Sequence, residues 1–188
     1  MDDYNKLCEK KVSSEKIFDG EILHLRKDII TLPNGEKATR ELVNHIGAVC
    51  IVPLDSDGKV VMERQFRYPI DSVVFEIPAG KLDSTDEDRL EAAKRELREE
   101  TGYTAKSWTD LGIYYPAPAY SDEKITMYLA EELTKGEQDL DEDEFLDLYS
   151  VSLDELVSDI VDGKITDGKT QVALLKTKAV LEKRSKNA

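Results

Sequence analysis

Three glutamates at helical spacing are the residues of this sequence best placed to do chemistry. Glu96, Glu99 and Glu100 lie three and four positions apart, so a helix places them on one face. Like charges at this spacing destabilise a bare helix, and a bound divalent cation would relieve the repulsion. Mg²⁺ takes hard oxygen ligands of this kind. The spacing predicts a magnesium site, while the alternative is a solvated helix face partly neutralised by Arg95 and Arg98.

The elements around these glutamates favour the metal site. An apolar run predicts a strand over residues 73–77, which ends where Pro78-Ala79-Gly80 forces the chain out of the sheet. Apolar residues at helical spacing then predict a helix over residues 86–101, and Ser84 with Glu87 fits a capping box at its start. A purely structural helix rarely needs this whole order of parts, so we interpret the segment as a functional site.

Hydrophobic patterning in the rest of the chain predicts a mixed sheet with helices, an α/β (α+β) fold. Apolar runs predict further strands at residues 47–54, 60–66, 112–115, 125–129 and 145–151. Ser152 fits the cap of a helix that runs to residue 161, and a helical stripe predicts another helix over residues 169–184.

The N-terminal segment has a different pattern. Apolar and polar residues alternate over residues 17–30, a turn follows at Pro33-Asn34-Gly35, and the alternation resumes over residues 37–44. This predicts antiparallel strands with too few large apolar residues for a core of their own. We therefore expect the segment to pack on the main domain or on a second subunit, and a homodimer is the expected assembly.

Composition excludes several classes of function. A formal net charge of −14 argues against binding a nucleic-acid polymer, which needs a basic face. No apolar stretch approaches the roughly 18 residues that cross a membrane, and the N-terminus lacks a signal-peptide pattern, so a cytoplasmic protein without membrane association is expected. Cys8 and Cys50 are too few for a disulfide framework. An acidic chain can still act on a small phosphorylated substrate if divalent cations reverse the local field.

The segment from Gly80 to Tyr103 resembles the signature of the Nudix hydrolases, G-x5-E-x7-R-E-U-x-E-E-x-G-U, where U is bulky and apolar. The second half of that signature is intact in Arg95, Glu96, Leu97, Glu99, Glu100, Gly102 and Tyr103. Counting back seven residues from Arg95 reaches Glu87, although six residues instead of five separate Glu87 from Gly80. Asp86 would satisfy the spacing of five. Because loops tolerate added length and a shift within the helix would rotate the carboxylates, we interpret the extra residue as a loop insertion.

Motifs outside the signature resemble the ADP-ribose pyrophosphatase branch of that family. They are Arg64-Gln65-Phe66-Arg67, Glu76-Ile77-Pro78-Ala79-Gly80 and the segment 115–123, in which Pro118 follows Tyr103 by 15 positions. The similarity covers residues 17–174. It implies a Nudix-type α/β/α sandwich with a mixed sheet over residues 46–188. It also implies that residues 1–45 form an N-terminal antiparallel β extension for dimerisation and the substrate pocket.

The resemblance also implies roles for the acidic residues. Glu96 and Glu100, with the backbone carbonyl of Ala79, would hold Mg²⁺, with Mn²⁺ as a possible substitute, and Glu99 would share this shell. Arg95 would orient the glutamates by hydrogen bonds. A further glutamate from the acidic loop would act as catalytic base or as an extra metal ligand, and Glu144 is the first choice, with Glu142 second.

Substrate contacts are implied for a second set of residues. Arg67 resembles an arginine that contacts phosphate, and Arg40 and Glu41 are expected to help recognise the substrate. Tyr120 is an aromatic candidate for stacking on a base, although aromatic residues near turns are more often packing residues.

The expected reaction is hydrolysis of the pyrophosphate of a nucleoside diphosphate linked to another group, with ADP-ribose giving AMP and ribose 5-phosphate. Two alternatives are kept. One is the same chemistry on a nucleotide sugar such as GDP-mannose, because the signature binds pyrophosphate and not the attached group. The other is a catalytically silent Nudix module that only binds a nucleotide.

Overall fold

Two units make up the fold in the computed structural model, which describes residues 6–140 and 144–187. The first unit contains the described residues up to Ile46 together with Tyr115–Lys124. The second unit contains Gly47–Tyr114 and the described residues from Ile125 onward.

The first unit is built on an antiparallel sheet in the order β1-β2-β3, formed by β1 (Lys10–Asp19), β2 (His24–Thr31) and β3 (Lys37–Asn44). The prediction of antiparallel strands and of the turn at residues 33–35 is confirmed, but residues 17–30 are not one strand. The chain turns between β1 and β2, where the Gly20 N–H donates to the Leu23 carbonyl at 2.9 Å. Alternation alone missed this break because apolar residues recur on both sides of the glycine.

A segment distant in sequence closes the first unit. The Val43 N–H donates to the Tyr120 carbonyl at 2.8 Å. The Asp122 carboxylate accepts hydrogen bonds from the Asn44 side chain at 2.5 Å and the His45 N–H at 2.8 Å. This unit therefore includes residues that the predicted extension of residues 1–45 does not contain, and the predicted boundary at residue 45 stays a prediction.

The second unit contains the mixed sheet and the helices. Its strands are β4 (Ala48–Pro53), β5 (Lys59–Arg67), β6 (Ser72–Glu76), β7 (Ala79–Lys81), β8 (Tyr103–Tyr114), β9 (Ile125–Lys135) and β10 (Leu146–Ser152). Its helices are α1 (Arg89–Thr101), α2 (Leu153–Val161), α3 (Gly168–Asn187) and a 3-10 turn (Tyr68–Ile70). One sheet has the order β7-β4-β9-β8 with β4 parallel to β9, and the other has the antiparallel order β10-β5-β6. None of the described helices is long and apolar enough to span a membrane.

Strand β4 shows why helices cover both faces of the mixed sheet. All of its residues are buried, and alternate side chains point to opposite faces. Cys50 belongs to the core cluster that holds Leu156 of α2 and Leu174 of α3, whereas Ile51 belongs to the cluster that holds Leu97 of α1. Each such side chain contributes about 1.5–3 kcal/mol on burial. The two clusters make this unit an α/β/α sandwich, as predicted.

Strand β8 is longer than the predicted strand at residues 112–115. It begins at Tyr103, directly after α1, and pairs with β9 across a register shift between Asp110 and Gly112. Gly112 has a φ of 89°, which side chains with a Cβ rarely adopt. This bulge interrupts the two-residue period, so periodicity indicated only the end of the strand.

The start of α1 also differs from the prediction, because Ser84 and Glu87 do not form a capping box. The cap is Asp88, whose carboxylate accepts hydrogen bonds from two N–H groups of the first turn at 2.9 and 3.1 Å. Glu87 instead accepts a hydrogen bond from the Asp83 N–H at 2.7 Å within the preceding loop. The helix therefore begins at Arg89, after the motif that the sequence suggested.

Replacing the observed cap is expected to weaken the protein, whereas replacing the predicted cap is not. Asp88→Ala removes the acceptor for the first-turn N–H groups and should lower the free energy of unfolding by about 1 kcal/mol. Ser84→Ala is the matched control and should leave this free energy unchanged. Urea denaturation of both variants measures the difference. A larger loss in Ser84→Ala than in Asp88→Ala would contradict the assignment.

Candidate active site

After β6 the chain contacts first the N-terminal end of α3 and then α1. The Ile77 N–H donates to the hydroxyl of buried Thr170 at 3.0 Å. Two residues later the Ala79 N–H donates to the Glu100 carboxylate at 2.9 Å. These two bonds place the Pro-Ala-Gly exit directly beside the glutamate face of the helix.

Gly80 lies directly against the Glu96 side chain of α1. A Cβ atom at Gly80 would lie 2.0 Å from the carboxyl carbon of Glu96, far inside van der Waals contact. Only glycine therefore allows the Glu96 carboxylate to occupy its position against the backbone.

Two of the three predicted glutamates are buried. The exposed fraction is 8% for Glu96 and 3% for Glu100. Burial raises the pKa of Glu96 to about 7, against the opposing effect of the Arg95 charge. Burial, and then the charges of Glu63 and Glu96, raise the pKa of Glu100 well above its ordinary value. These carboxylates are thus held where their negative charge is unfavourable without a counter-ion.

Glu99 lies at the rim of this pair. Its carboxylate accepts hydrogen bonds from Arg95 at 3.2 Å and from Arg98 at 2.9 Å. The helix places Glu99 beside Glu96, and the charge of Glu99 raises the pKa of Glu96. The predicted cluster therefore consists of two buried carboxylates and one partly exposed carboxylate.

Arg95 joins the loop before α1 to the glutamates. Its guanidinium donates to Glu87 at 3.3 Å, to Glu96 at 2.8 Å and to Glu99 at 3.2 Å. It also donates to the Lys81 carbonyl at 3.2 Å. This geometry supports the predicted role of orienting the carboxylates, and it shows that Glu87, rather than the exposed Asp86, contacts the arginine.

Glu144 acts electrostatically on the buried glutamates. Its charge contributes to the raised pKa values of Glu63, Glu96 and Glu100. Glu144 also lines a cavity of about 560 Å³. Glu142, the second choice for the base, lies outside the described residues.

Glu63 is a buried carboxylate that sequence reasoning missed. It lies on β5 with no exposed surface, and burial, followed by the charge of Glu76, raises its pKa to about 8. Within the described residues, neither of its carboxylate oxygens has a hydrogen-bond partner. In a sequence, a single glutamate in a strand looks like an ordinary outward-facing residue. The apolar run Val60-Val61-Met62 directly before Glu63 was the available signal that this part of the strand is buried.

A network of charges occupies the neighbouring part of the β5–β6 sheet. Arg67 donates two hydrogen bonds to the buried Glu76 carboxylate, at 2.7 and 2.9 Å. Lys169 also donates to Glu76, and it donates to Asp167 at 3.1 Å. Arg67 and Lys169 line a cavity of about 400 Å³. The predicted phosphate contact, Arg67, therefore lies beside a second cation that the sequence had not indicated.

The other predicted substrate residues belong to the first unit. Arg40 donates to the Glu9 carboxylate at 3.0 Å and to the Thr39 carbonyl at 3.0 Å. Glu41 is exposed on β3, and Tyr120 is exposed as well. Their contact with substrate stays a prediction.

The donor chemistry of the second unit fits a hard divalent cation. Within the described ranges, no three His, Cys, Asp or Glu side chains already form a metal cage. The side chains placed against Ala79 and Gly80 are nevertheless the carboxylates of Glu100 and Glu96, and the carboxylate oxygens of Glu63 are buried without a hydrogen-bond partner in the part of the chain that the structure describes. Oxygen donors of this type bind Mg²⁺ and Mn²⁺.

An α/β/α sandwich that buries helix glutamates beneath a strand exit is the arrangement expected of Nudix hydrolases. The chain belongs to this family, since the NUDIX domain matches residues 44–173. A second match, to the nucleoside diphosphate sugar hydrolase N-terminal domain, covers residues 9–43.

Known proteins resemble the chain over most of its length. A Bacillus subtilis protein named ADP-ribose pyrophosphatase is 41% identical over 170 residues, which are 89% of this chain and 91% of that protein. A Bacillus methanolicus protein named methanol dehydrogenase activator is 41% identical over 168 residues, which are 88% of this chain and 90% of that protein. A crystal structure of an ADP compounds hydrolase superposes with a TM-score of 0.83 at 23% identity, over 95% of this chain and 97% of that one. The predicted family and fold are confirmed.

The buried Glu96 makes the stability of the metal-free protein depend on pH. Its pKa is 4.5 in ordinary surroundings and about 7 in the folded chain, so the folded state holds a proton that the unfolded state releases between these values. This contribution to stability is complete below about pH 4.5 and is lost as the pH rises through about 7.

Urea denaturation with a chelator from pH 4.5 to 8 tests this dependence. Across this pH range the free energy of unfolding of the wild type should fall by on the order of 2–3 kcal/mol relative to that of Glu96→Gln, because the variant lacks the titrating group. The exposed Glu91→Gln on the same helix is the control and should follow the wild type. Parallel profiles for wild type and Glu96→Gln would contradict the assignment.

Proposed function

We propose that this protein is a Mg²⁺-dependent hydrolase of the pyrophosphate bond in a nucleoside diphosphate linked to another group. ADP-ribose, giving AMP and ribose 5-phosphate, is the proposed main substrate. The observation that carries the proposal is the burial of Glu96 and Glu100 beneath Ala79-Gly80, with raised pKa values. A bound cation would stabilise the ionised form of these buried carboxylates, and the same cation would bind the phosphates of such a substrate.

Glu96, Glu100 and the Ala79 carbonyl would hold the cation, with Glu99 at the rim and Glu144 approaching from the acidic loop. When bound, Mg²⁺ neutralises phosphate oxygens and makes water more acidic, and Mn²⁺ can supply the same chemistry. The raised pKa values mean that cation binding would release protons at neutral pH, because the carboxylates bind the metal in their ionised form.

The side chains around the cation have separate tasks in this proposal. Arg95 holds Glu96 and Glu99 in place through its hydrogen bonds. Glu144 takes the proton of the attacking water as general base, and Glu142 is the second candidate. Arg67, beside the cavity that Lys169 also lines, orients a substrate phosphate.

Three further side chains are proposed to contact the group attached to the diphosphate. Arg40, Glu41 and Tyr120 would provide its polar and stacking contacts. ADP-ribose is favoured by the relative named ADP-ribose pyrophosphatase. A nucleotide sugar such as GDP-mannose is the second candidate, favoured by the match of residues 9–43 to a nucleoside diphosphate sugar hydrolase N-terminal domain. We further propose a cytoplasmic homodimer, which light scattering during size-exclusion chromatography can test.

Glu100→Gln is expected to lower turnover of ADP-ribose by about 100-fold or more while the protein stays folded, because it removes one buried ligand charge. AMP release, measured with Mg²⁺ and with a chelator, gives the result. Glu91→Gln is the matched control, since Glu91 lies on the same helix with its side chain exposed and paired to Lys94 at 2.8 Å. Turnover near the wild-type rate in Glu100→Gln would rule out the metal assignment.

Product analysis separates the candidate substrates. ADP-ribose should give AMP and ribose 5-phosphate, whereas GDP-mannose would give GMP and mannose 1-phosphate. A higher kcat/KM for the nucleotide sugar would overturn the choice of ADP-ribose. Tight binding of ADP-ribose with Mg²⁺ and no cleavage of either compound would instead identify a silent binding module.

A further inference from the structure

We propose that Glu63 of β5 is a further carboxylate ligand of the divalent-cation site. Glu96 and Glu100 belong to helix α1, whereas Glu63 belongs to the β10-β5-β6 sheet, so the cation would be held between two elements of the second unit. This inference rests on the proposed function, because it presupposes a cation beside the helix glutamates.

The first observation is that no hydrogen-bond donor among the described residues reaches the Glu63 carboxylate. Its side chain is fully buried, and neither carboxylate oxygen has a hydrogen-bond partner within the described residues. Lys169 and Arg67 act on Glu63 only through their charges, and burial outweighs them in setting its pKa, so an ionised carboxylate in this position is incompletely compensated. A bound cation satisfies the ionised form.

The second observation is the contrast with Glu76, the residue opposite Glu63 in the β5–β6 register. Residues opposite each other in an antiparallel pair place their side chains on the same face of the sheet. Both glutamates are buried, but Glu76 accepts hydrogen bonds from Arg67 and Lys169. Arg67 of β5 and Lys169 of α3 thus donate hydrogen bonds to one buried carboxylate and not to its neighbour, on which they act only through their charges.

The third observation places Glu63 with the proposed ligands. Ala79, whose N–H donates to the Glu100 carboxylate at 2.9 Å, lies three residues after Glu76, the residue opposite Glu63. The charge of Glu144 acts on Glu63, Glu96 and Glu100. The charge of Glu63 also raises the pKa of Glu100. Because Coulomb interactions weaken with distance, this agrees with Glu63 and the helix glutamates facing one region of the second unit.

Binding of Mn²⁺ and Mg²⁺ to the substrate-free protein tests the proposal without an activity assay. Glu63→Gln keeps the size of the side chain and removes its charge, and calorimetry should show a dissociation constant raised about 10-fold or more. The rise in Tm that Mg²⁺ produces should shrink accordingly. With a chelator and at a pH above about 8, where the wild-type Glu63 is ionised, the Tm of Glu63→Gln should equal or exceed that of the wild type, because the buried charge without a hydrogen-bond partner is gone.

Two reference variants separate this proposal from the proposed function. Glu91→Gln should bind the cation like the wild type, whereas Glu100→Gln should bind it weakly. Weak binding in Glu100→Gln with wild-type binding in Glu63→Gln would overturn the role of Glu63 alone. Absence of cation binding by the wild type would overturn both proposals.

A second substitution keeps the test decisive if circular dichroism shows that Glu63→Gln does not fold. Glu63→Asp retains the charge but shortens its reach, so its cation affinity should be reduced. Wild-type affinity in a folded Glu63→Asp would then overturn the proposal.

Discussion

The enclosure of several carboxylates in one low-dielectric region is the constraint on which the second unit depends. Glu63, Glu96 and Glu100 are buried. Because water is excluded, the charged form of each carboxylate has a higher free energy than it would have in water. Glu96 and Glu100 have direct partners in Arg95 and the Ala79 N–H. The protein alone therefore compensates this charge incompletely, which is the physical reason to expect a cation in the working state.

The scaffold must hold this unfavourable arrangement in place. Helix α1 does so by burying Leu97 in the cluster beneath β4 while its acidic side faces the strand exit. Gly80 permits the close approach of that exit, and the Thr170 hydroxyl fixes it at Ile77. The free energy gained by burying apolar side chains on one side of the helix thus offsets the cost of burying carboxylates on the other side. The packed helix in this way keeps the glutamates near one another.

The sequence contained the local part of this site. Spacing along one helix indicated Glu96, Glu99 and Glu100, and the signature identified Arg95, because these relations involve residues close in the chain. Helix α2 was predicted with its cap at Ser152 for the same reason.

Relations between distant residues were not predictable from one sequence. Glu63 lies on a different element from Glu100, whose pKa its charge raises, and Lys169 donates to Glu76 across 93 positions. The cap at Asp88 was missed because several acidic and hydroxyl residues of the loop could serve equally well, and the loop conformation decides among them. Tyr115–Lys124 joins the first unit partly through backbone hydrogen bonds, which carry no signal in side-chain type, and partly through the carboxylate of Asp122, one of many acidic residues in the chain.

The placement of positively charged side chains in the second unit bears on how a chain with a net charge of −14 could bind a diphosphate. Arg67 and Lys169 lie together but are already paired with Glu76 and Asp167, so their positive charge is largely compensated. These side chains can orient a phosphate, but they cannot by themselves reverse the field of the neighbouring glutamates. A divalent cation can, since its charge is concentrated on one ion among oxygen donors that lack compensation. The same acidic residues that would repel a free diphosphate would in this way be the residues that bind its metal complex.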